Sequence, residues 1–261
     1  MTSRVTPIFF RRYEPGQTII HVGGFRVQMF QLESGLVRVI RFSARGQVFT
    51  QRLVFPGDYF GEGCLTDHRC DNEAVALSDS MVRAVDPETI SAQESQALCS
   101  NLAQQLDRVM NHAGQVRHQG LRERVAWYLL ELAETSLGGI DLHGRTFVTA
   151  AHQLICDGIR ARRESVSKMA VTLSHEHLLV TGYRRFTLLD RPTLERISGW
   201  SRAQVQNGDF DLNAREFVAD APQLKSPHSD PTVNQTCNGA ARFMLSMSNE
   251  LSNQPKFGGQ D

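Results

Sequence analysis

Three successive, non-overlapping patterns predict an α+β chain built in three parts. Residues 8–85 carry short runs rich in Val, Ile, Phe and Thr, punctuated by glycine-containing turns. Residues 99–116 repeat apolar side chains at alternating steps of three and four, and residues 150–189 hold two short amphipathic periods followed by two strand-like runs around a turn. The first pattern predicts an N-terminal β-roll of the jelly-roll type, the second a long dimerisation helix and the third a C-terminal winged helix-turn-helix. The parts divide at 1–94, 95–120 and 121–203, leaving 204–261 as a mostly disordered tail.

Composition sets the outer bounds. With 261 residues, 41% of them apolar, the chain can bury a sizeable core in two domains, and its formal charge is zero. No stretch nears 18 consecutive apolar residues, and the start, Met1 to Pro7, lacks an apolar signal core, so a cytoplasmic protein without a membrane partner is expected. Five cysteines (Cys64, Cys70, Cys99, Cys156, Cys237) form no CxxC pair and are odd in number. They point to reduced structural thiols, not to a disulfide framework or a zinc site.

In the first part, strands are predicted at Ile8–Tyr13, Thr18–Val22, Gln28–Leu32, Leu36–Phe42, Val48–Phe55 and Ala74–Val85. Between them stand Pro15-Gly16, Gly23-Gly24, Ser34-Gly35, Arg45-Gly46 and Pro56-Gly57. In the second part the seam is Cys99, Leu102, Leu106, Val109, Ala113 and Val116, held for three heptads with polar residues elsewhere. That pattern predicts a parallel dimer, with Leu98 and Met110 off the seam and packed on the β-roll.

Leu121 to Leu132 continues as the first helix of the last part, with Val125, Leu129 and Leu132 on its core face and Trp127 covering the hinge. Gly138-Gly139 is expected to end that helix, and Phe147–Thr149 to form a short strand. Leu154, Ile155 and Ile159, then Val166, Met169, Ala170 and Leu173, mark two helices separated by a tight turn. Leu179 to Asp190 reads as a hairpin with Gly182 in its turn.

A helix-turn-helix sets the first turn of its second helix against base edges in the major groove. Arg162, Arg163, Glu164 and Lys168 fall on that turn and the next. Arg pairs bidentately with guanine O6 and N7, Glu accepts from cytosine N4, and Ser or Lys holds phosphate, so Ser165 and Ser167 suit the same surface. Residues 141–205 contain ten Arg or Lys against six Asp or Glu, a local excess of four in a neutral chain.

The run His152 Gln153 Leu154 Ile155 Cys156 Asp157 to Arg163 Glu164 Ser165 Val166 Ser167 Lys168 resembles the DNA-binding motif of the cyclic-AMP receptor protein and fumarate-nitrate regulator (Crp/Fnr) family of bacterial transcription regulators. The resemblance implies that Arg163, Glu164 and Lys168 read bases, that His152 and Gln153 belong to the contact set, and that half-sites resemble TGTGA. Arg162 stands where the family opens the helix with Ser. Two departures matter: Arg160 takes the turn position of a Gly, where a left-handed backbone costs a non-Gly residue about 1 kcal/mol. Gly158 replaces an apolar helix residue and is expected to weaken the first helix.

The resemblance extends to Glu14 Pro15 Gly16, to Leu32 Glu33 Ser34 Gly35 Leu36 Val37 Arg38 Val39 and to Phe55 Pro56 Gly57 Asp58 Tyr59 Phe60 Gly61 Glu62, which look like a cyclic-nucleotide-binding β-roll. It stops near Trp200. In members that bind cyclic AMP, Gly-Glu is followed about ten residues later by Arg-Ser or Arg-Thr; here Gly61 and Glu62 are followed by Asn72 and Glu73. Glu73 in place of a hydroxyl would set like charges together, worth about 4 kcal/mol of repulsion near 4 Å at an effective dielectric of 20. Arg69 offers a cation from another backbone position. The expectation is a cassette without a cyclic-nucleotide cofactor, either structural or sensing another ligand. No cysteine precedes Cys64, which argues against the family's iron-sulfur sensor.

The resulting expectation is a homodimeric regulator that binds double-stranded DNA, with RNA polymerase as a further partner. The alternative is a ligand-sensing or protein-interaction β-roll whose helical domain no longer reads DNA, for which Arg160 and the weak first helix speak. A β-barrel metalloenzyme fits poorly, because His21, His68, His112 and His118 lack ligand spacing, and most of them are read as surface or cap residues. Ala240–Leu251 is a candidate short helix within the polar tail.

Overall fold

The computed structural model describes residues 9–23, 28–65, 71–86 and 89–201. Arg69, His68, the tail and its candidate helix at Ala240–Leu251 lie outside the described residues.

Among the described residues eight strands build the β-roll: β1 Phe10–Tyr13, β2 Thr18–Ile20, β3 Met29–Ser34, β4 Val37–Phe42, β5 Val48–Val54, β6 Tyr59–Phe60, β7 Glu73–Ala76 and β8 Ser80–Val85. They form two antiparallel sheets, ordered β1-β8-β3-β6 and β2-β7-β4-β5. The inward residues of both sheets, among them Ile20, Phe30, Leu32, Val37, Val54 and Phe60, share one core. The single run expected over 74–85 breaks into β7 and β8, which lie in different sheets. At the corner between them Gly35 (φ 96°) lies so near Asp79 and Ser80 that an ideal Cβ would come within 2.3 Å of the Asp79 carbonyl oxygen. The two-residue β6 and a 3-10 turn at Glu62–Leu65 leave no mark in the sequence pattern, because neither is long enough to show a period.

Helix α1 spans Ala92–His118. Its start is a capping box: Ser91 Oγ accepts from the Glu94 N–H at 3.2 Å and the Ser91 N–H donates to Glu94 Oε2 at 3.1 Å. Leu98 packs with Met29, Tyr59, Cys64 and Val85, as expected. Met110 does not pack on the β-roll: it is 64% exposed, one turn beyond Leu106, which is 61% exposed. The face toward the roll instead carries Leu98, Asn101, Gln105 and Arg108. Gln105 Nε2 donates to the Tyr59 carbonyl at 2.8 Å, and Arg108 pairs with Asp58 at 2.5 Å.

Helix α2, Leu121–Ala133, is buried at every position from Val125 to Leu130 and again at Leu132. A helix segment buried on every side belongs between two packed bodies. One core cluster accordingly joins Leu36 and Leu53 of the roll to α2 and to the helices beyond it. The helix ends at Ala133, not at the glycine pair. Gly138 and Gly139 lie in strand β9, Gly138–Ile140, where a Cβ would strike the Ala133 carbonyl or the Phe147 ring. Then come β10 Thr146–Thr149, α3 His152–Ile159, α4 Arg163–His175, β11 Leu179–Gly182, β12 Arg185–Leu188 and α5 Arg191–Ser198, with the sheet ordered β11-β12-β10-β9. At the hairpin tip the left-handed residue is Arg184 (φ 52°), while Gly182 stays in the strand. Among the described residues no helix is long and apolar enough to cross a membrane.

Candidate nucleic-acid interface

Helices α3 and α4 meet at a three-residue turn whose first member, Arg160, is left-handed (φ 52°, ψ 48°). The carbonyl of Cys156 accepts from the Ala161 N–H at 3.0 Å and closes the turn. Arg160 also lays its guanidinium over the Phe49 ring, 4.8 Å from the centroid, a contact that offsets part of the backbone strain. Arg162 is the N-cap of α4, in extended conformation and without a side-chain cap bond.

Val166, Ala170 and Leu173 bury the inner stripe of α4. Arg162, Arg163, Glu164 and Lys168 are exposed on its first two turns, and Ser165 and Ser167 are half-buried at its flanks. Among the described residues no ion pair involves any of the four exposed charges, so they are available to a partner.

Two of the candidates serve the protein itself. Gln153 is exposed, but its Nε2 donates to Asp157 Oδ1 at 2.6 Å. His152 sets its ring on Phe186 of the wing, with centroids 4.9 Å apart. The wing adds residues not singled out in the sequence: Tyr183, 95% exposed, and Arg184 at the tip. Their only sequence signal is a position inside a predicted hairpin. Arg185 is engaged instead over the Phe147 ring, at 3.6 Å.

Gly158 has a reason that its helix propensity hides. An ideal Cβ there would lie 2.2 Å from Cζ of Tyr128, so the missing side chain is what lets α2 and α3 meet. Nor is His112 a surface residue. Its Nε2 lies 2.8 Å from the Gly158 carbonyl and its ring meets Trp127 edge-on at 5.2 Å. Burial holds its pKa below the ordinary histidine value, against the hydrogen bond to Gly158. Since a carbonyl only accepts, Nε2 carries the hydrogen.

The cassette candidates come together in the β-roll around a cavity of about 20 Å³, lined by Gly61, Glu62, Asn72, Glu73, Arg52 and Ile20 among others. Gly61 is left-handed at φ 87°, as the tight approach of the chain requires. Glu62 accepts a two-pronged bond from Arg52 of β5, at 2.8 and 2.7 Å. Burial raises the Glu62 pKa, but bonding and attraction from Arg52 outweigh it and hold the carboxyl below its usual range. Asn72 donates to Gln51 at 3.2 Å, and Glu73 accepts from Thr18 at 2.9 Å. Along α1, Cys99, Leu106 and Ala113 of the seam are exposed, Leu102 packs against the Met29 cluster, and Val109 and Val116 are half-buried. Among the described residues no cluster of metal ligands occurs, and Cys64, Cys99 and Cys156 form no disulfide.

Comparison with known proteins points the same way. A cyclic nucleotide-binding domain family matches residues 10–94, and a Crp-like helix-turn-helix domain family matches residues 123–197. The chain is 38% identical over 189 residues to the transcriptional regulator LdrP of Thermus thermophilus, covering 72% of this chain and 96% of that protein. A crystal structure of a CRP-family transcriptional regulator from Thermus thermophilus superposes with a TM-score of 0.71 at 37% identity, covering 73% of this chain and 97% of the other. A second regulator of that organism, of the CRP/FNR family, gives 0.69 at 28% identity, covering 74% and 99%.

Proposed function

We propose the function from this premise: the chain belongs to the Crp/Fnr family of transcription regulators. It is a sequence-specific DNA-binding regulator of that type. The observation that carries the reading is the segregation on α4, where an apolar stripe is buried while Arg162, Arg163, Glu164 and Lys168 face solvent without ion-pair partners among the described residues. In our reading Arg163 and Glu164 address bases, Lys168 and the flanking serines address bases or phosphate, and Tyr183 and Arg184 of the wing meet the neighbouring backbone.

The working unit in this reading is a homodimer built on α1. Leu106 and Met110 stand exposed in line with Cys99 and Ala113, an unpaired apolar stripe on a 27-residue helix. Two recognition helices one duplex turn apart then call for a palindromic operator. RNA polymerase is the machinery such a regulator addresses.

Cyclic AMP is not the controlling ligand in this reading. What supports this is the occupation of Glu62 by Arg52, the engagement of Glu73 by Thr18 and the small size of the cavity they line. Selection of bound sequences from a random duplex library tests the regulator; failure to enrich any palindrome overturns it. Thermal melting with saturating cyclic AMP and cyclic GMP tests the cassette, since a specific ligand at 100 times its Kd stabilises by about 2.7 kcal/mol. An unchanged melting temperature is expected.

A further inference from the structure

The C-terminal turn of α3 is held from three sides. Arg38 Nη1 of β4 donates to Asp157 Oδ2 at 3.2 Å, and the two side chains are only 20% and 6% exposed. His112 Nε2 of α1 donates to the Gly158 carbonyl at 2.8 Å. Arg124 Nη1 of α2 donates to the Ile159 carbonyl at 3.0 Å. The last carbonyls of a helix have no partner within it and ordinarily turn to water or a cap. Here two of them, and the carboxylate before them, are satisfied by side chains of the β-roll, the stalk helix and the hinge helix.

The position of this turn gives the contacts their meaning. After a three-residue turn α4 begins, so the direction in which α4 leaves is set where α3 ends. Apolar packing between α2 and α3 fixes their distance, with the Tyr128 ring against Gly158. Apolar contact is non-directional, whereas hydrogen bonds demand alignment and so resist rotation.

We propose that Arg38, His112 and Arg124 are positioning residues for DNA reading, which clamp the end of α3 and thereby fix the angle at which α4 is presented relative to α1. None of the three lies on the exposed face of α4, and none is expected to touch DNA. The inference rests on the reading of α4 as the recognition helix and of α1 as the dimer stalk. In a dimer, the angle between α1 and α4 sets the distance between the two recognition helices. Loss of the clamp therefore relaxes half-site spacing and leaves base preference alone.

The test uses the full chain and the palindrome that the wild type selects from random duplexes. Affinity is measured for that operator, for duplexes with the half-sites moved by one and two base pairs, and for a single half-site. Arg38→Gln and His112→Ala are expected to reduce the preference for the selected spacing about tenfold, within the usual range of coupling between sites, with half-site affinity unchanged. His112→Gln keeps an N–H donor and is expected to retain most of the preference. Asp157→Asn, similar in shape to the native residue, is the paired variant should Arg38→Gln lower the melting temperature, and it is expected to relax spacing in the same sense. Folded variants that keep the wild-type spacing preference, or that lose half-site binding in proportion, overturn the clamp. A wild type that selects no sequence overturns DNA reading itself, and with it the clamp, a result distinguishable from the other two.

Discussion

The cassette of the β-roll and the exposed face of α4 carry the same kind of family resemblance, yet they treat their charges in opposite ways. In the cassette, Glu62 is held by Arg52, Glu73 by Thr18 and Asn72 by Gln51. On α4 the charges of Arg162, Arg163, Glu164 and Lys168 point outward, with no ion-pair partner among the described residues. A motif can thus keep its backbone, down to the left-handed Gly61, while its side chains have turned to one another. A binding site that works keeps its polar groups free of internal partners, bonded only to exchangeable water, until the partner arrives.

The largest effect expected from breaking this contrast lies between the two regions, at Glu131. As a residue it is only half-buried, but its Oε2 is sealed and has no hydrogen-bond partner among the described residues. Burial pushes its pKa up to about 8, against attraction from Arg108. A folded-state value raised above the unfolded one means that the folded form binds more protons between the two. Stability is therefore full below about pH 4.5 and falls as pH rises through 8, by up to about 5 kcal/mol at 1.36 kcal/mol per unit. Glu131→Gln is expected to flatten that slope in denaturant melts from pH 5 to 9; an unchanged slope would place the titration elsewhere.

Arg52→Ala leaves Glu62 without its partner and is expected to destabilise the chain by about 3 kcal/mol, with Glu62→Gln in the same chain restoring part of the loss. If both variants are neutral in urea unfolding, the cassette is not internally satisfied. Arg163→Ala sharpens the contrast from the other side: about 1 to 3 kcal/mol in binding at the selected operator, relaxed preference at the contacted base pair, and under about 0.5 kcal/mol in stability. Equal weakening for every sequence would deny it base reading. The smallest effect belongs to Arg160→Gly, where about 1 kcal/mol of relieved backbone strain is offset by the lost contact with Phe49, leaving a net change within about 0.5 kcal/mol.

What can be read along the chain is local. Glycine-marked turns delimit most strands, three-and-four spacing marks α1, α3 and α4, and the left-handed position of Arg160 follows from one motif. What cannot be read depends on partners far away in sequence. Arg38 and Asp157 are 119 residues apart, and nothing near either one names the other. His112 has the sequence surroundings of a surface histidine, and its burial comes from Trp127 and Tyr128 of the next helix. Met110 falls on the opposite side of α1 from the one expected, because a heptad seam and the face one position away look alike until the roll is in place. Gly138, Gly139 and Gly158 look like breakers in the sequence, whereas each makes room for a neighbouring group.

The burial of α2 from Val125 to Leu130 bears on how the protein can be handled. Because Trp127, Tyr128 and Leu130 belong to a core shared with Leu36 and Leu53 of the roll, a fragment beginning at Leu121 would carry that shared wall into water as a bare oily surface. Such a piece should clump at concentrations where the whole chain stays dissolved, so the two halves have to be made, studied and altered together.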